Sequence, residues 1–154
     1  MKTIPTEEAI LGVAKEEFLQ YGYMEASMRR IASKAGCTTG MLYYRFKDKD
    51  EIFKALVKDG ADLFEGEFMR MQKNFQALPD EVQVEGMFDY AGGGMEELND
   101  ILYAHFDAFK LIVCSGGGSS YEGYIERLVD AETQSTFRFI NTLRSTGHNV
   151  PPVT

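Results

Sequence analysis

A chain of 154 residues, 44% hydrophobic and 26% charged, is long enough to bury a core without staples and is not disordered in composition. Its two cysteines, Cys37 and Cys114, lie far apart without paired spacing, and no signal peptide opens the chain. Together these predict a reducing, cytoplasmic setting. The longest apolar run is only a few residues, so no membrane partner is expected.

The net charge of −8 argues against a nucleic-acid partner until its distribution is counted. From Ser27 to Lys58 eight basic residues face three acidic ones, whereas from Gly60 onward six basic face fifteen acidic. A basic block followed by an acidic body describes a two-part molecule, and phosphate backbones select for the first part.

Helical periodicity dominates throughout, with no strand alternation, so an all-α fold is expected. A first helix begins near Thr6, where Glu7 and Glu8 suit the positive end of a helix dipole, and Ile10, Val13, Ala14 and Phe18 form its apolar stripe. Gly22 is its natural stop. Ser27 caps a short second helix with Met28, Ile31, Ala32 and Ala35 on one face, ended by Gly36 at a sharp turn. Thr38 caps a third short helix whose Leu42 and Phe46 point inward. Helix, glycine turn and short helix together make helix-turn-helix geometry.

Asp48 and Glu51 form a variant capping box opening a long fourth helix, apolar at Ile52, Phe53, Leu56, Val57, Ala61, Phe64, Phe68 and Met71. Leu78, Pro79 and Asp80 break it, and the segment through Tyr90 reads as a loop. Gly92, Gly93 and Gly94 precede a fifth helix with Leu98, Ile101, Leu102 and His105 on one side. Phe106 to Cys114 follows as a short apolar helix, Gly116 to Ser120 as a loop, and about Tyr121 to Leu143 as the last helix. Cys114 reads as buried filler.

Ser27 to Ile52 reads SMRRIASKAGCTTGMLYYRFKDKDEI. A capping hydroxyl, Ile-Ala, Ala-Gly, a small polar pair, Gly-x-Leu-Tyr and Phe-Lys-x-Lys together resemble the signature of the tetracycline-repressor (TetR) family of transcriptional regulators. The resemblance covers roughly the first 60 residues; the rest matches in helical layout and size only. It implies DNA contacts from Ser27, Thr38, Thr39, Gly40, Met41, Tyr43, Tyr44 and Lys47. Arg29 and Arg45 could add further ones. The residue chemistry agrees: hydroxyls at helix starts suit phosphate oxygens, and Gly40 lets a phosphate or base edge approach the backbone. Against these stand plain structural roles: Ser27 and Thr38 serve as caps in any case, and Tyr43 and Met41 could be partial core.

The expected organisation is a helix-turn-helix DNA-binding domain over 1–47 and a helical ligand-binding and dimerisation domain over 48–154. The chain stops near Thr154, about where the last two helices of the family would begin. Large adaptable apolar residues fill the second part, and the resemblance implies an effector cavity among its helices. Phe64, Phe68, Met87, Phe88, Leu102, His105, Phe106, Phe109 and Tyr124 are its candidate lining, although a helical-bundle core explains most such residues equally well.

His105 and His148 are far apart and have no metal-ligand partner at helical spacing, and the glycine-rich stretches lack phosphate-loop context. No enzyme activity, cofactor or metal is expected. The expected partners are a double-stranded DNA operator, a small hydrophobic effector and a second copy in a homodimer. The expected function is a DNA-binding regulator, a repressor released from its operator by a small apolar ligand. The alternative is a ligand-binding or protein-interacting remnant of the fold without productive DNA binding, which oligomeric state would separate.

Overall fold

The computed structural model describes residues 3–152, and the described residues form seven α-helices and no strand. In chain order these are α1 (Glu7–Glu25), α2 (Met28–Ala35), α3 (Thr39–Arg45), α4 (Lys49–Gln76), α5 (Asp80–Ala104), α6 (Phe106–Ser115) and α7 (Tyr124–Ser145). None is long and apolar enough to cross a membrane. The chain divides into two compact units: residues to Ala61 with His105–Tyr124, and Asp62–Ala104 with the residues from Ile125. It passes from one unit to the other three times, first within α4.

The first unit is built on caps. The Thr6 hydroxyl accepts from the Ala9 N–H (3.2 Å), Ser27 from Arg30 (3.3 Å) and Thr38 from Met41 (3.2 Å), so α1, α2 and α3 each begin on a side-chain oxygen. Gly36 ends α2 at φ 76°, a left-handed conformation that favours glycine at this turn. Gly22 does not end α1. At φ 74° it breaks the helical path, and helical structure resumes to Glu25. At the start of α4, Asp48 accepts from the Glu51 N–H (2.8 Å), while the Glu51 carboxylate reaches back to the Lys47 N–H. The reciprocal bond of this capping box falls one residue before the cap.

The core of this unit joins Ile10, Ala14 and Phe18 of α1 to Ile31, Leu42, Ile52, Phe53, Val57 and Leu111, all buried. The Phe53 ring stands edge-on to Phe18 (5.1 Å) and Tyr23 (5.5 Å). Helix α6 packs on α1, with a Lys15–Asp107 ion pair at 2.7 Å whose hydrogen bond holds the Asp107 carboxyl below its ordinary range. A Cβ on Gly60 would lie 2.7 Å from the His105 Cβ, so that glycine is required by close approach. Cys114, expected to be buried, is exposed: α6 buries Leu111, Ile112 and Ser115 and turns Val113 and Cys114 outward.

In the second unit, the expected loop from Pro79 to Tyr90 and the expected helix start after Gly94 are both corrected. Asp80–Ala104 is one continuous helix that includes all three glycines. Its start is well provided: the Pro79 carbonyl accepts from Gln83 N–H (3.0 Å), and Asp80 and Glu81 occupy the first turn. The buried Gln83 amide donates to the carbonyls of Gln76 (3.4 Å) and Leu78 (2.8 Å), satisfying the end of α4. Each helical glycine costs about 1 kcal/mol against alanine. Packing against α4 offsets this, with Tyr90 donating to the Met71 carbonyl (3.0 Å) and the Tyr90 ring 5.3 Å from Phe75. At Gly94 the Met71 side chain lies where a Cβ would stand, with its flexible methyl end 1.9 Å from that position. The last helix begins at Tyr124 and not Tyr121, since Ser119 folds the preceding segment into a turn by bonding the Gly116 carbonyl and the Tyr121 N–H.

Candidate nucleic-acid interface

Helix α3 turns Leu42 into the core, and Phe46, its C-cap, is buried one turn further on. The opposite side presents Thr38, Thr39, Gly40, Tyr43 and Tyr44 to solvent, with Lys47 exposed just beyond the helix. Tyr43 is 51% exposed and Tyr44 is 95% exposed. Such exposure leaves two phenols and two threonine hydroxyls available to phosphates and base edges. Met41 is half-buried, between core and surface. Ser27 is half-buried at the cap of α2, with Arg29 exposed two residues on. Gly40 is the informative glycine: a Cβ there would meet only the Thr38 hydroxyl oxygen, at an ordinary 3.9 Å. The chain's own packing does not require a glycine at this position.

The basic block is not uniformly available. Arg30 donates from Nε to Glu17 (2.6 Å) and from Nη2 to the Glu25 carbonyl (2.8 Å), and lies over the Tyr21 ring at 4.2 Å. Lys34 is 3.7 Å from the other Glu17 oxygen, and Arg45 is 3.6 Å from Glu7. Lys49 donates to the carbonyls of Met24 (3.2 Å) and Ala26 (3.3 Å), above the Tyr23 ring at 4.6 Å. Burial, with Asp50 and then Asp48 adding to it, pushes the Tyr23 phenol up from its ordinary value, so the ring stays neutral. Arg29 and Lys47 are exposed and form no ion pair among the described residues.

Glu17 is the positioning residue that the sequence reading did not single out. It is fully buried, and one oxygen accepts from both the Ser27 N–H (3.1 Å) and Arg30. The other oxygen has no hydrogen-bond partner. This carboxylate fastens the start of α2 to α1 and so sets the platform on which α3 is carried. The sequence holds only its ingredients, an acid flanking the apolar stripe of α1 and two cations, Arg30 and Lys34, one turn apart on α2, and the fold is needed to pair them.

The second unit contains a cavity of about 400 Å³ between α4, α5 and α7. Of the expected lining, Phe68 and Met87 contribute to it. Phe64, Phe88 and Leu102 belong to the same unit outside that lining, and Phe88 is 88% exposed. His105, Phe106, Phe109 and Tyr124 belong to the first unit. There His105 packs on Gly60, Phe109 is buried, Phe106 is half exposed, and the Tyr124 hydroxyl donates to the Ala61 carbonyl (2.9 Å). Met71, Phe75, Tyr90, Met95 and Phe139 line the cavity in addition. Placing them required the continuous α5 and its phase against α4.

Comparison with known proteins agrees with the N-terminal geometry. Residues 10–56 match the family model of bacterial regulatory proteins, tetR family. Over 52 residues, 34% of this chain, the sequence is 40% identical to the HTH-type transcriptional repressor BepR of Brucella suis. Over 51 residues, 33% of the chain, it is 41% identical to the HTH-type transcriptional regulator AcrR of Shigella flexneri. These matches span only about a quarter of those relatives, 25% and 24% of their lengths. A solved Clostridium perfringens protein, described as a fatty acid metabolism regulator, shares the fold with a TM-score of 0.51 at 23% identity, over 94% of this chain and 74% of its own. The match to the tetR family of bacterial regulatory proteins thus lies in the helix-turn-helix segment, residues 10–56.

Proposed function

We propose that this chain is a DNA-binding transcriptional regulator that lays α3 in the major groove of an operator and is released when a small hydrophobic effector occupies the cavity of the second unit. The observation that carries the DNA reading is the division of α3: Leu42 buried, Tyr43 and Tyr44 exposed, and a glycine between Thr39 and Met41 that the fold does not need. Thr38, Thr39, Tyr43, Tyr44 and Lys47 contact phosphates and bases, Ser27 and Arg29 add backbone contacts from α2, and Met41 supplies an apolar edge. Arg45, paired with Glu7, has a secondary part.

Ligand control works as a population shift: the effector binds better to a state in which two recognition helices are wrongly spaced for successive grooves. Three chain crossings link the units, at 61–62, 104–105 and 124–125, and each offers a covalent route for the shift. Two half-sites require a homodimer. Ile125, Val129 and Phe137 are exposed along α7 and form an apolar face suited to a second copy.

The reading is tested by fluorescence anisotropy of the purified chain on DNA from upstream of its own gene, at two salt concentrations. Binding should be sequence-selective, fall steeply with salt, and weaken about tenfold or more in Tyr43→Ala. Weak binding indifferent to sequence and to that substitution would refute it.

A further inference from the structure

The net charge of −8 resides entirely in one half of the molecule. The first unit holds eleven basic and eleven acidic residues, whereas the second holds five basic and thirteen acidic. The cavity lies wholly within the acidic unit, and its lining carries a single charged side chain, Glu132 on α7. Glu132 forms no ion pair with lysine or arginine among the described residues; its partner is the neutral amide of Gln72, another lining residue. The Phe75 ring lies 5.3 Å from Tyr90 and 5.6 Å from Phe139, making a three-ring wall, and Met71, Met87 and Met95 add polarisable, adaptable surface.

Resting on the reading of this cavity as the effector site, we propose that it selects a hydrophobic cation, with Glu132 as its counter-charge and Phe75, Tyr90 and Phe139 as its aromatic wall. An uncompensated carboxylate at the exposed rim attracts a cation and repels an anion, and the surrounding acidic surface acts in the same direction. Aromatic rings reward a cation near their faces and give no equivalent return to a carboxylate. A fatty-acid anion would meet no cationic side chain in the lining, only the Gln72 amide and the hydroxyls of Tyr90, Ser135 and Thr136.

The test uses tetraphenylphosphonium and tetraphenylborate, hydrophobic ions of the same size and shape but opposite charge, titrated calorimetrically into the full chain. The cation should bind about tenfold tighter than the anion at low ionic strength, and the gap should shrink as salt is added. Glu132→Gln should reduce cation affinity about fivefold and leave the anion equal or slightly improved. Ala91→Trp, at an exposed lining position, should abolish binding of both ions while the helical circular dichroism is retained. Equal or tighter binding of the anion, lost in Ala91→Trp, would overturn the cation preference and leave the effector cavity standing. Cation binding that survives Ala91→Trp would be attraction to the acidic surface and would overturn the proposal. Binding of neither ion would remove both the preference and the effector reading.

Discussion

The two units spend similar residues on different ends. In the first, basic and acidic residues balance, and four of the cations are fixed by geometry: Arg30 and Lys34 on Glu17, Lys49 on the end of α1, Arg45 on Glu7. In the second, acids outnumber bases by thirteen to five, and the aromatic and methionine side chains enclose a cavity. On the function proposed above, one unit would hold a surface rigid for a polyanion, and the other would keep adaptable apolar space for a ligand to fill. Precision at the interface and looseness at the cavity are complementary demands, and separating them lets each be met.

The sharpest way to break this comparison uses one residue type in both units. Phe53→Ala removes the ring that joins Phe18 and Tyr23 in the core of the first unit, and should cost about 3–5 kcal/mol in denaturant unfolding. Phe88→Ala, at an 88% exposed position, should change stability by no more than about 0.5 kcal/mol. Similar costs for the two would mean that the second unit is not packed as described.

A smaller effect sharpens the account of the platform. Glu17→Ala leaves the Ser27 N–H without its acceptor and frees Arg30, and should cost about 2 kcal/mol, read as a lowered midpoint at unchanged slope. A neutral result would show that α2 is held in place by its apolar face alone.

The smallest effect concerns the acidic unit. Glu67 and Glu97 share the Arg70 guanidinium; the Arg70 hydrogen bond holds Glu67 below its ordinary range, while the neighbouring Glu67 raises Glu97. A raised Glu97 binds its proton more tightly in the folded state, so its stabilising contribution is present in acid and lost as pH rises through the raised value. Glu97→Gln should therefore raise Tm slightly at about pH 7 and make no difference at about pH 3. A lower Tm at neutral pH would reverse the assigned sign.

Legibility followed the same division. The first three helices could be read to within a few residues because local chemistry decides them: Thr6, Ser27 and Thr38 at the caps, Gly36 at the turn, Leu42 and Phe46 one turn apart. Helix α5 was misread because local signals oppose it. Three consecutive glycines and a preceding proline argue for a loop, and only contacts distant in sequence, Tyr90 with Met71 and Phe75, reverse that preference. The cavity lining inherits the error, since a side chain's face cannot be assigned before its helix is. Glu17 was missed for a different reason: a buried acid looks like a solvated one until its partner on another helix is in place.

The most direct test of the central claim, that the outer face of α3 is kept for DNA, is a paired measurement on Gly40→Ala. No contact in the fold opposes the added methyl, and alanine is favoured over glycine in a helix by up to about 1 kcal/mol. The expected result is a thermal midpoint equal to or above that of the parent chain, together with operator binding weakened about tenfold or more. Unchanged binding at unchanged stability would contradict the claim, because the face would then not be approached closely by any partner at this glycine.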